Sequence, residues 1–118
     1  MAKYNGPSED RIQQDCYMWF WNTYPELRGL LFAVPNGGKR SAQEARKFKL
    51  TGIVSGVADM LFMYKGVTYC LELKTEVGYQ SKKQLAWQSS VQKQGFQYFV
   101  IRDLEKFKEI INNIINTY

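Results

Sequence analysis

The stretch that most constrains this chain is its middle. Residues 59–64 read DMLFMY, apolar throughout after the leading aspartate, and residues 67–74 read VTYCLELK, which alternates. Only Lys65 and Gly66 stand between them. A period of two is the signature of a strand, and two strands joined by so short a turn form a β-hairpin. The alternation puts Val67, Tyr69, Leu71 and Leu73 on one face and Thr68, Cys70, Glu72 and Lys74 on the other. The unbroken apolar run of the first strand predicts burial on both of its faces, and so a layered α/β arrangement.

The flanking segments fit that frame. Ser8 is a good helix N-cap, and Glu9 and Asp10 follow in the first turn, where the helix dipole favours anions. Ile12, Cys16, Trp19 and Phe20 recur at helical spacing, which predicts a helix over 9–24 that Pro25 ends. Residues 29–34 (GLLFAV) read as a buried strand. Ser41 with Glu44 forms a capping-box pattern ahead of a helix over 42–50, stopped by Thr51 and Gly52. Residues 53–58 fit loop or strand equally. A second capping box, Ser81 with Gln84, opens a helix over 82–94 that Gly95 closes. Residues 96–101 (FQYFVI) read as a strand. A last helix over 104–116 carries Leu104, Phe107, Ile110, Ile111, Ile114 and Ile115 on one side. The expected order is α-β-α-β-β-α-β-α, a mixed sheet flanked by helices. It forms one domain over 1–118, with 1–7 as a loose arm.

Composition narrows the chemistry. The chain of 118 residues has no histidine. That removes the Ser-His-Asp triad, His-ligated zinc and a histidine general base. Hydrolysis here would run on carboxylates, lysine, tyrosine and a bound metal. A net charge of +5 suits a polyanionic partner, nucleic acid being the commonest. Cys16 and Cys70 form no short-range pair and read as reduced thiols near a core, which points to a reducing compartment. The N-terminus has no apolar leader and no run is long enough to span a bilayer, so the expectation is a soluble intracellular protein. Of the aromatic residues Trp19, Phe20, Trp21 and Trp87, not all of the Trp-Phe-Trp run can face inward from one helix, so some apolar surface there is expected to meet a partner.

Asp59 sits at the mouth of an apolar strand, where an ionised carboxylate is costly to bury without compensation. Glu72 and Lys74 share a face of the partner strand at the same open end. Two carboxylates beside a backbone carbonyl suit a hard cation such as Mg²⁺ or Mn²⁺, and a nearby ammonium can orient water or a phosphate. The rival reading is a plain hairpin whose polar face is solvated, with Glu72 and Lys74 as a weak surface pair. The loop at 35–40, PNGGKR, offers phosphate contacts through Asn36, the N–H groups of Gly37 and Gly38, Lys39 and Arg40. Lys82 and Lys83 can add to them, or can simply be the exposed face of a helix.

These pieces together resemble the VRR-NUC family, a branch of the PD-(D/E)xK nuclease superfamily. The segments that carry the resemblance are SED-IQ at 8–13, VPNGGKR at 34–40, an alanine-containing helix, TGIVSGVADMLF at 51–62, LELK at 71–74, S-KQ-AW at 81–87 and GFQYFVIRDLEKF at 95–107. They cover nearly the whole chain in the right order. The resemblance implies metal-binding carboxylates at Asp59 and Glu72, the Leu73 carbonyl as a further ligand, and the motif lysine at Lys74. It also maps a first-helix glutamate to Glu9, a possible metal ligand, and a helix glutamine to Gln84. Both have a purely structural rival, a dipole-favoured acid and a capping-box residue. Ala58 stands where the family often has proline. The implied activity is that of a Mg²⁺- or Mn²⁺-dependent DNA endonuclease, structure-selective for branched or junction DNA rather than sequence-specific. By likeness to small phage-type members it would act as a homodimer in the host-cell cytoplasm. The alternative is a non-catalytic nucleic-acid-binding module of the same fold.

Overall fold

The computed structural model describes residues 3–35 and 41–117. The elements run α1 (Glu9–Thr23), β1 (Leu31–Ala33), α2 (Ala42–Leu50), β2 (Met60–Tyr64), β3 (Val67–Leu73), α3 (Lys82–Lys93), β4 (Gln97–Ile101) and α4 (Leu104–Thr117), with a short 3-10 turn at Pro25–Leu27. This is the expected order. The strands form one sheet in the order β1-β2-β3-β4. β1 and β2 are antiparallel, as are β2 and β3, whereas β3 and β4 are parallel. A parallel pair needs a long crossover, and α3 supplies it.

Local chemistry sets the ends of these elements. Ser8 Oγ accepts from the N–H of Arg11 to start α1. Ser41 Oγ accepts from Glu44 N–H at 3.1 Å to start α2. In α3 the Ser81–Gln84 capping box is complete in both directions. The hairpin turn places Lys65 at φ 47° and Gly66 at φ 81°, the paired left-handed geometry that matches strand twist.

The sheet has two unlike faces. On the first, Leu31, Met60, Phe62, Tyr69, Leu71, Leu73 and Ile101 are buried beneath α1 and α4. α4 contributes Phe107, Ile110, Ile111 and Ile114, one stripe at helical spacing. Phe20 meets Phe62 edge-on at 5.5 Å between centroids, and Trp19 meets Phe107 at 5.9 Å. On the second face a smaller cluster of Ala58, Cys70 and Tyr98 is covered by Trp87 and Val91 of α3. Trp21 is 39% exposed, under the Arg28 guanidinium at 4.3 Å, so the Trp-Phe-Trp run does split between core and surface.

Two expectations need correction. β1 is not a buried six-residue strand. It spans only Leu31–Ala33, Leu31 alone is buried, and Gly29 at φ 91° turns the chain just before it. It lies at the sheet edge, with Phe32 and Ala33 exposed. β2 is not buried on both faces either. Met60 and Phe62 are buried, but on the second face Leu61 is only half-buried against the Ala58, Cys70 and Tyr98 cluster and Met63 is 48% exposed. Residues 53–58, open between loop and strand, are loop.

None of the residues of α2 is buried, and Phe48 is half-buried. Among the described residues, no helix is long and apolar enough to cross a membrane. Both cysteines are free and buried, as read from the sequence. Burial raises the Cys16 thiol to about 12, with help from the negative charges of Asp15 and Asp103, and burial also raises Cys70.

Candidate active site

The β2–β3 register pairs Met60 with Leu71. One step further out, Asp59 stands opposite Glu72, at the end where the hairpin opens. A direct bond fixes this: Asp59 Oδ2 accepts from the Leu73 N–H at 2.7 Å. The Asp59 carbonyl in turn accepts from Val34 N–H at 2.8 Å, which ties β1 to the same corner. In a strand the N–H and C=O of one residue point the same way. The Leu73 carbonyl therefore faces the Asp59 side, beside the two carboxylates.

Glu72 does not lie on a solvated polar face. It is 0% exposed. Its Oε1 accepts from the Tyr98 hydroxyl and, at 3.5 Å, from Gln80 Nε2. Its Oε2 is buried without a hydrogen-bond partner. A buried carboxylate oxygen in that condition is expensive unless something binds it. Burial raises the Tyr98 hydroxyl well above the ordinary tyrosine value, and its bond to Glu72 and the charges of Glu72 and Asp59 raise it further. Tyr98 therefore remains a donor throughout the physiological range.

Lys74 follows β3 and is 7% exposed. Its Nζ lies 3.9 Å from Glu9 Oε2, so α1 reaches the site through its first turn. Glu9 holds the ammonium in this arrangement. Among the described residues no three acidic, cysteine or histidine side chains gather as a ready-made cage. The oxygen set is Asp59, Glu72 and the Leu73 carbonyl. A hard divalent cation fits these all-oxygen donors and the unpartnered Glu72 Oε2.

Gln84 is engaged in the helix cap. Its Oε1 accepts from the Ser81 N–H at 2.7 Å, completing the capping box. The amides that do turn inward are Gln80, just before the helix, and Gln88, one turn further along it. Gln80 Nε2 donates to Gln88 Oε1 at 2.7 Å as well as to Glu72. Tyr98, Gln80 and Gln88 were missing from the sequence reading. Tyr98 alone left a signal there, since a tyrosine at an inward strand position needs a partner for its hydroxyl.

Lys82 and Lys83 are exposed in the first turn of α3. Behind them the chain makes a close approach. Gly56, at φ 85°, lies so near the Lys83 backbone that a Cβ would sit 2.6 Å from its carbonyl carbon. This contact seats the start of α3 against the loop leading to Asp59. Asn36, Gly37, Gly38, Lys39 and Arg40 lie outside the described residues. Ala58, in the position before the aspartate, is fully buried with Cys70 and Tyr98.

A four-stranded mixed sheet between helices, with Asp59 bound to the Leu73 N–H where its hairpin opens, fits a PD-(D/E)xK-like fold. More narrowly, the chain has the VRR-NUC fold. It is similar to a solved structure described as a VRR_NUC domain protein, with a TM-score of 0.78 and 20% identity, over 96% of this chain and 92% of that one. A second, described as a VRR_NUC domain, superposes with a TM-score of 0.59 at 21% identity, over 91% of this chain and 97% of that one. No protein-family model matches the sequence. No curated protein matches it either.

Proposed function

We propose that this chain is a metal-dependent DNA endonuclease that takes Mg²⁺ or Mn²⁺ on Asp59, Glu72 and the Leu73 carbonyl. One observation carries the reading: Glu72 is fully buried, its Oε2 has no partner, and Asp59 is pinned beside it by the Leu73 N–H. A divalent cation held by such donors supplies Lewis acidity toward a phosphodiester and makes water a better nucleophile.

The chain's own groups set up the rest. The Leu73 N–H fixes the Asp59 carboxylate in one orientation, so its position is settled before substrate arrives. Lys74 keeps its stem buried, and Glu9 steadies its ammonium at the rim, where it can donate to a phosphate oxygen or to the attacking water. Lys82 and Lys83 are exposed near Gln80 and are suited to the flanking phosphates, in keeping with the net charge of +5. Contacts of this kind read the shape of the backbone rather than base edges. They favour branched or junction DNA over a fixed sequence. A homodimer would bring two such centres to two strands.

The test uses purified protein with Mg²⁺ or Mn²⁺ on linear, supercoiled and four-way-junction DNA. Nicking or cutting is expected, with the junction preferred. Asp59→Ala should abolish it while the circular dichroism spectrum stays unchanged. A wild type inert on every substrate with both metals overturns the reading.

A further inference from the structure

The fold treats the two oxygens of Glu72 differently. Oε1 takes two donors, the Tyr98 hydroxyl and Gln80 Nε2. Oε2 takes none and is buried. The donors are themselves held. Tyr98 is 9% exposed on β4, with Trp87 of α3 packed against its ring at 6.0 Å between centroids. Gln80 is tied to Gln88 on α3 at 2.7 Å. The parallel β3–β4 register pairs Tyr98 with Cys70 and Val100 with Glu72, so Tyr98 reaches Glu72 diagonally across one face of the sheet.

A carboxylate can bind a cation through one oxygen or through both. Ca²⁺ accepts roughly six to eight ligands in flexible geometry and takes bidentate carboxylates readily, whereas Mg²⁺ demands near-ideal octahedral coordination. Binding through both oxygens of Glu72 would set the cation in competition with the donors on Oε1. The buried Tyr98 hydroxyl would be stranded at the full cost of a lost partner, whereas the half-buried Gln80 keeps its bond to Gln88.

We propose that Tyr98, seconded by Gln80, is a positioning residue that commits Glu72 to bind a cation through Oε2 alone, and so biases the centre toward Mg²⁺ and against Ca²⁺. This rests on the cation-binding reading above and adds a basis for metal choice. Neither residue touches the reacting phosphate. They act through Glu72.

The experiment is calorimetric titration of DNA-free protein with Mg²⁺ and with Ca²⁺, for the wild type, Tyr98→Phe and Gln80→Leu. Tyr98→Phe keeps the ring and removes the donor. It should move the ratio of the two dissociation constants toward Ca²⁺ by roughly tenfold, the scale of such outer contacts. Gln80→Leu should move it the same way by less. A purely structural role would weaken both cations equally, so a folded Tyr98→Phe variant with an unchanged ratio overturns the proposal. If that variant does not fold, Gln80→Leu decides, and an unchanged ratio there overturns it. A wild type that binds neither cation removes this proposal together with the metal-dependent reading. A shifted ratio in a protein that cuts no DNA upholds the positioning role and removes only the nuclease reading.

Discussion

The two faces of the sheet are built from alternate residues of the same strands, yet they do different work. The first face lays Phe62, Tyr69, Leu71, Leu73 and Ile101 under two helices. The second carries Glu72 and Tyr98 under one helix and leaves Met63 open. Burial of the first stabilises the fold, at roughly 1.5–3 kcal/mol for each large side chain. Burial of the second holds a carboxylate at a cost. Adjacent residues such as Leu71 and Glu72 therefore differ sharply in what their burial costs or contributes. Stability and activity should come apart when the faces are altered separately.

The strongest break is Glu72→Gln, which removes the charge and leaves the shape. DNA nicking should fall by about a thousandfold or more, a loss of about 4 kcal/mol in the barrier. The melting temperature should not drop, because a buried carboxylate with one oxygen unpartnered has been made neutral while the acceptor for Tyr98 is kept. A large fall in melting temperature would show that the second face stabilises the fold after all. On the first face, Phe107→Ala should cost about 3–5 kcal/mol in denaturant unfolding, with cation affinity of the folded fraction unchanged by calorimetry.

Gly56→Ala tests the seam between the faces. A Cβ there meets the Lys83 backbone, and the left-handed φ adds strain, so about 2 kcal/mol of stability should be lost. Because that contact seats α3, the same variant should also weaken cation binding, unlike Phe107→Ala. The smallest effect is in pH. The Cys16 thiol ionises near 9 when unfolded and is held up to about 12 in the fold. Between those values the unfolded chain releases a proton that the folded chain keeps. This contribution is therefore complete well below pH 9 and erodes as pH climbs toward 12, by roughly 1–2 kcal/mol at pH 10. Unfolding curves at pH 8 and pH 10 should show the difference, and Cys16→Ala should reduce it.

Much of this architecture is visible in the sequence, because its causes are local. Alternation in 67–74 places Glu72 opposite the apolar set, and serine caps mark the starts of α1, α2 and α3. The limits appear where distant segments meet. Nothing near Tyr98 announces that it will stand beside Glu72, since the β3–β4 register is set only after a crossover through α3. The same holds for the amides. Gln84 Oε1 satisfies a local capping pattern, and it is Gln80 whose amide donates to Glu72. β1 and β2 were read as more deeply buried than they are, because an apolar run does not reveal where a sheet ends or how far one helix reaches.

α2 buries no side chain, yet it is closed at both ends, by Ser41 on Glu44 and by Thr51 Oγ1 on the Lys47 carbonyl at 2.9 Å. Between such ends an exchange on the exposed surface typically shifts stability by no more than about 0.5 kcal/mol. The exposed positions of the helix, Phe48 aside, are thus ones at which sequence can drift at little thermodynamic expense. A descendant could lengthen or recharge it without disturbing the sheet, and a protein engineer could attach a label there with the same freedom.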